Sequence, residues 1–304
     1  MNRMSSKCIV LFVLSVIATL FSCNDSSKKG SDADSTDTVV IEGNDTARFA
    51  TEHFTYGDTC DFACVSFDIE LPSDRSDAAV NIRTTLYSKL IETCSSYIED
   101  KIEPYKYGNL VDIAQYCGVA VFDKLADAAE TQYLIMTAEQ RENGEESSYE
   151  IVKTPYDTEN RIKVTYQDDN VIVFSYFTYI FLGGAHGNSG STDYTFNIHT
   201  GELITNIIDS DKVRDMQSLL KKGIRDYFKE WDPNIKEREI EDQLFIKGLI
   251  PLPSLEPSPE KNGLRFTYPR YEIAAYAAGE ITFVIPYDKI LPFVKDKAKK
   301  ELGL

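Results

Sequence analysis

The stretch Val171 to Gly187, VIVFSYFTYIFLGGAHG, constrains this chain more than any other. It is an apolar and aromatic run that stops at a glycine-rich turn. In an extended conformation Val171, Val173, Ser175, Phe177 and Tyr179 take one face, and Ile172, Phe174, Tyr176, Thr178 and Ile180 take the other. Both faces are apolar, so the strand is expected inside a sheet with cover on each side, from helices or from a second layer. Gly183, Gly184 and Gly187 then free the backbone to turn where other residues would clash.

The pattern around that strand mixes hairpins with helices. Strands are predicted at Cys60–Leu71, Tyr133–Ala138, Tyr149–Lys153, Arg161–Gln167, Asp193–Ile198, Leu203–Ile208, Gly263–Tyr268 and Glu280–Pro286. The polar stretches RENGEES and PYDTEN read as separators, and Asp168-Asp169-Asn170 reads as a hairpin turn into the central strand. Apolar residues recur at helical spacing from Ala79 to Tyr97, through Cys94, and from Leu110 to Leu125, through Cys117. A third line runs Val213, Met216, Leu220, Ile224, Tyr227 and Trp231; a short helix is expected over Glu237–Lys247 and a final one from Asp288. The fold class is therefore α+β: mixed, mainly antiparallel sheets with helices packed on them, in two closely associated modules.

The front of the chain is of another kind. Arg3 and Lys7 precede the apolar run Cys8 to Phe21, too short for a comfortable membrane span, and Leu20-Phe21-Ser22-Cys23 resembles a bacterial lipobox. Residues 1–22 are thus read as a lipoprotein signal peptide and Cys23 as the acylated first residue of an exported, lipid-anchored protein. Asn24 directly after it resembles lipoproteins passed to an outer membrane. Residues 23–50, rich in Ser, Asp, Thr and Gly, read as a flexible acidic tether. Formal net charge is −17, which argues against nucleic acid as a partner and favours long-range attraction to basic ones.

Four cysteines remain beyond the lipobox: Cys60, Cys64, Cys94 and Cys117. They could pair in three ways or stay as buried thiols; Cys94 and Cys117, on the apolar faces of two predicted helices, could meet in the core. No zinc, calcium or other metal signature is present, nor a phosphate loop or dinucleotide fingerprint, so no cofactor is expected. Of three histidines, His186 stands exposed in the glycine turn, His199 in a predicted hairpin turn, and His53 at the border of the tether. His186 lacks a nucleophile or metal motif beside it and reads as a hydrogen-bonding turn residue. The aromatic line Tyr268, Tyr271, Tyr276, Phe283 and Tyr287 could supply a sugar- or protein-binding surface, or pack in the core.

Two motifs carry a family resemblance. FLGGAHGN followed by FNIHTGELI, and later YEIAAYAAGEITFVIPYDKI, resemble the paired modules known as the PdaC-like domain (DUF4163) and the RsiV-like C-terminal domain (DUF3298). The second is the more specific: Tyr271 to Ala274, Tyr276, Ala278-Gly279 and Ile285 to Tyr287 recur in the family in this order. The resemblance places a PdaC-like module at 51–195 and an RsiV-like module at 196–304. It implies a cell-envelope role, since such modules occur on anti-sigma factors whose outer part recognises lysozyme and beside deacetylase domains acting on peptidoglycan. The chain departs from those relatives in showing no cytoplasmic sigma-binding segment, membrane helix or catalytic deacetylase domain. The expectation is a non-catalytic envelope lipoprotein that binds a protein, such as a basic lysozyme-like enzyme, or a peptidoglycan fragment, with His186, Gly184, Tyr271 and Tyr276 as ligand-binding candidates. The alternative is an enzyme, or an accessory to one, acting on envelope polysaccharide.

Overall fold

A computed structural model of the chain describes residues 49–98, 102, 110–142 and 151–304. The signal segment, Cys23 and the tether up to residue 48 lie outside the described residues. Two sheets organise the rest. The first holds five strands in chain order: β1 (Thr51–Thr59), β2 (Ala63–Pro72), β3 (Tyr156–Gln167), β4 (Val171–Phe181) and β5 (Asn188–Asn197). All neighbours are antiparallel except β2 and β3, whose parallel pairing is bridged by α1 (Asp77–Ile98) and α2 (Leu110–Glu142). A parallel pair needs such a crossover, and two helices provide it. The mixed, mainly antiparallel α+β architecture matches the sequence expectation.

Helix α1 starts where the sequence supplies a cap: the Ser76 hydroxyl accepts from the Ala79 N–H at 3.2 Å. Its apolar line, Ala79, Ile82, Leu86, Leu90 and Cys94, is fully buried, and the last four share a core with β2. Helix α2 runs further than its apolar line predicts. Tyr133–Ala138 is helix, not strand, because no glycine or proline interrupts the chain after Gly118; Leu134, Ile135 and Met136 face solvent while Tyr133 meets the Phe62 ring at 5.8 Å. Gly118 itself is needed where α2 crosses β1, since a Cβ there would fall 2.5 Å from the Tyr56 ring. Residues 151–155 have no regular structure, so the strand expected at Tyr149–Lys153 is absent over its described part.

β4 is paired on both sides, although β3 is the middle strand of the five. Its two faces enter different cores. Ile172, Phe174 and Tyr176 pack under the helices, and Val171 belongs to the second core. Beyond Val173 the second face is only half covered: Arg161 stacks over the Phe177 ring at 4.3 Å, and Gly187 lies against Tyr179. The turn into β4 forms as expected, with Asp168 Oδ1 accepting from the Asn170 and Val171 N–H groups at 2.8 and 2.9 Å.

The second sheet is β6 (Ser258–Glu260), β7 (Gly263–Tyr268) and β8 (Ile281–Pro286), antiparallel throughout. Helix α3 (Gln217–Trp231) lies on β8, with Gly223 held bare by the Phe283 ring, and α4 (Glu237–Gln243), α5 (Tyr287–Ile290) and α6 (Asp296–Leu302) complete the element order. Trp231, expected on the buried line of α3, is 80% exposed; Phe228, one turn back, is buried instead. The expected strand Leu203–Ile208 is reduced to single bridges, Phe196 to Leu203 and Ile208 to Val294. Asn206 sits at φ 57, and the N–H groups of Asn206 and Ile207 donate to the Glu256 carboxylate rather than to a ladder.

Candidate functional site

β5 is an edge strand, and its free side is closed by side chains from the second half of the chain. Arg270 donates to the Ser189 carbonyl, and Glu280 Oε1 accepts from the Ser191 N–H at 3.1 Å. One step further, Asp193 Oδ2 accepts from Ser258 Oγ at 2.7 Å and from Arg265 at 2.6 Å. The Thr195 carbonyl takes the Ile204 N–H at 2.8 Å. An edge left bare would invite pairing with another chain. Here the edge becomes the seam along which the two sheets meet.

A cavity of about 390 Å³ opens at this seam, on the helix side of the sheet. α1 supplies Thr93, Ser96 and Tyr97, β4 and β5 supply a run of hydroxyl side chains, and Pro269, Arg270 and Glu280 form the far wall. Tyr176 of its lining is tied to a buried polar network. Tyr176 O–H donates to Asn160 Oδ1 at 2.8 Å, Thr158 O–H donates to the Tyr179 carbonyl at 2.9 Å, and both Thr158 and Asn160 are fully buried. Burial, and then the neighbouring Cys94, push the Tyr97 phenol up to about 12, while Thr158 and Thr178 act in the opposite direction. Buried polar networks hold their geometry when every member is satisfied.

Beside the cavity lies an aromatic platform. The His186 and Tyr276 rings stack at 4.3 Å with 23° between planes, Tyr271 meets Tyr276 at 5.6 Å, and the Arg270 guanidinium sits 5.3 Å from the Tyr276 ring. Arg270 therefore belongs to both the cavity wall and the platform. Tyr276 O–H and His186 Nδ1 both lie 2.9 Å from the Gly187 carbonyl. A carbonyl only accepts, so Nδ1 carries a proton in this contact. A Cβ at Gly187 would fall 2.4 Å from the Tyr179 ring, so any larger residue here displaces that ring. Tyr271 is 58% exposed and holds φ 67, a conformation that costs a bulky residue energy.

The structure thus gathers three of the four ligand-binding candidates, His186, Tyr271 and Tyr276. Gly184, exposed at φ 93, shapes the turn with open space around its Cα. His199 is exposed in its turn, where Asn197 Oδ1 accepts from the His199 and Thr200 N–H groups. His53, just past the tether, stands on β1 with Nε2 2.8 Å from Asp68. Tyr268 and Phe283 are core residues. Cys94 and Cys117 are both fully buried. Among the described residues no group of three His, Cys, Asp or Glu side chains is placed to hold a metal ion. The site residues that sequence reasoning missed are Arg270 and Glu280 of the cavity wall, and it also missed the buried Thr158 and Asn160 behind Tyr176. PYDTEN reads as a polar separator, yet it opens β3, with Asp157 and Glu159 facing outward and Thr158 and Asn160 inward. Alternation of burial within an entirely polar segment leaves no hydrophobic signal to read.

Residues 59–189 match the family model described as Deacetylase PdaC, and residues 205–288 match the model described as a protein of unknown function, DUF3298. No curated protein matches the chain. Two solved structures share its fold. A DUF3298 family member from Bacteroides fragilis has a TM-score of 0.59 at 16% identity, over 83% of this chain and 95% of that one. A DUF3298 family protein from Pseudomonas aeruginosa has a TM-score of 0.53 at 14% identity, over 83% of this chain and 97% of that one. The seam between the sheets accordingly lies where the two matched segments, 59–189 and 205–288, adjoin.

Proposed function

We propose that this chain is a non-catalytic binding lipoprotein of the bacterial cell envelope, held to a membrane through acylated Cys23, and that its ligand is a peptidoglycan fragment. The observation that carries the reading is the joining of a hydroxyl-lined cavity to an aromatic platform through Arg270. A sugar offers hydroxyls to the first and an apolar C–H face to the second, and a carboxylate on the fragment finds the guanidinium. About 390 Å³ falls in the usual range for a small-molecule site. His186 spends Nδ1 within its own turn and its ring face on Tyr276, which suits a platform better than a general base. The net charge of −17 supports a second reading, a basic protein of the lysozyme kind.

The test is calorimetry of the full chain in detergent against soluble muropeptides and, separately, a basic animal-type lysozyme, at low and moderate salt. One-to-one muropeptide binding that survives moderate salt and is lost in Tyr271→Gly is the expected result. Lysozyme binding that survives salt, with no muropeptide binding, would replace the fragment by a protein partner. Failure of both would overturn the site. Lipid-labelling of the wild type, lost in Cys23→Ser, tests the anchor.

A further inference from the structure

Cys94 on α1 and Cys117 on α2 have no exposed surface and share the first core. Both are free thiols in the structure, the two helices pack on each other, and Cys117 is the neighbour that acts most on the Cys94 thiol. The other two cysteines have other neighbours. Cys60 Sγ accepts from the Phe62 N–H at 3.5 Å, and the Cys64 thiol contacts Thr59 and Asp157. Of the links open to these four cysteines, the packing thus favours the single one that joins α1 to α2.

We infer that Cys94 and Cys117 are a disulfide-forming pair, a covalent staple between α1 and α2 that closes as the chain folds in an oxidising compartment. The oxidant is a disulfide, carried by a thiol oxidoreductase or a small molecule. One cysteine thiolate attacks it, breaking its S–S bond and expelling one of its sulfurs as a thiolate. The second cysteine then attacks the protein sulfur of the mixed disulfide and releases the other. One S–S bond forms and one breaks; two electrons pass to the oxidant, and the two cysteine protons end on its thiols.

Burial sets the order of events. Contact with Cys117 and removal from water both push the Cys94 thiol well up, so its thiolate is scarce once the helices have closed. Exchange must therefore run before closure, and afterwards neither oxidant nor reductant reaches the sulfurs. The staple also bears on the cavity. Thr93 precedes Cys94 and Tyr97 follows it by nearly a turn, and both line the wall. A bond at Cys94 fixes that stretch of α1 against α2.

The experiment is to reduce and denature the full chain, refold it in a glutathione redox buffer, block free thiols under denaturing conditions and map the peptides. The expected outcome is one linked pair, Cys94 with Cys117, with Cys60 and Cys64 blocked as thiols. The link should survive reductant in the folded state and yield to it only with denaturant. Protein refolded in reductant should melt about 5–10 °C lower than the oxidised form. The wild-type map decides even where Cys94→Ser folds poorly. The Cys60→Ala/Cys64→Ala double variant should keep the link. Recovery of Cys94 and Cys117 as thiols, or a link from either to Cys60 or Cys64, would overturn the inference.

Discussion

The Tyr276 ring lies on the His186 imidazole at 4.3 Å, and both side chains are tied to one acceptor, the Gly187 carbonyl. The glycine turn of the first module is thereby fixed by the most recognisable motif of the second. Tyr276→Phe keeps the stack and removes one hydrogen bond, and should cost about 1 kcal/mol. Tyr276→Ala removes both and should cost about 2–4 kcal/mol. Urea unfolding of the two variants measures the difference.

Tyr271 separates binding from stability. It is more than half exposed and sits in the left-handed region, so glycine relieves backbone strain while little packing is lost. Tyr271→Gly should leave the unfolding midpoint unchanged or slightly raised, by up to about 1 kcal/mol. If the platform holds a ligand, the same variant binds at least about tenfold more weakly, as expected for a lost aromatic contact. A clear fall in stability would mean that Tyr271 is a structural residue.

Glu280 and Arg270 hold the free edge of β5. Replacing Glu280 by Ala leaves the Ser191 N–H without its carboxylate, and amide exchange at Ser191 should quicken while the β3–β4 ladder stays protected. The global cost should be about 1–3 kcal/mol, the range for a bond to a charged acceptor. Exchange monitored by mass spectrometry localises the effect; uniform loss of protection would count against a local role.

The buried polar pair Tyr176 and Asn160 should behave as one unit. Tyr176→Phe strands the Asn160 carbonyl oxygen and should cost about 1–3 kcal/mol. Adding Asn160→Leu removes the stranded group, so the double variant should lose clearly less than the two single losses combined. Additive losses in a double-mutant cycle would show that the two residues act separately.

Alkali should weaken the fold. Burial holds Tyr97 and Tyr194 at about 12 against an ordinary 10, so between those values the unfolded chain gives up protons that the folded chain retains. The folded state then binds more protons, and stability falls as pH rises from about 10 towards 12. Urea midpoints at pH 9, 10 and 11 should decline, and Tyr97→Phe should flatten the slope. A pH-independent midpoint over that range would contradict the burial.

Residues that carry an apolar period were legible. Ile82, Leu86, Leu90 and Cys94 announce α1, and the VIVFSYF run announces a strand with two buried beginnings. Tyr133–Ala138 misleads because a short apolar run has the same composition in a strand and in a helix, and only the uninterrupted turns before it decide. The site was half legible. His186, Tyr271 and Tyr276 belong to motifs that stand out, whereas Thr158 and Asn160 are polar residues whose burial comes entirely from what lies across from them.

By itself, then, the sequence determined the strand and helix inventory where hydrophobic period is strong, the acidic character, and the residue types available to a site. The local preferences of the chain act over a few residues and are written in it. Only the tertiary structure decided that Gly187 and Tyr276, 89 positions apart, share a hydrogen bond, and that Arg270 serves cavity and platform together. Such contacts depend on how two sheets meet along β5, a relationship that no local period encodes.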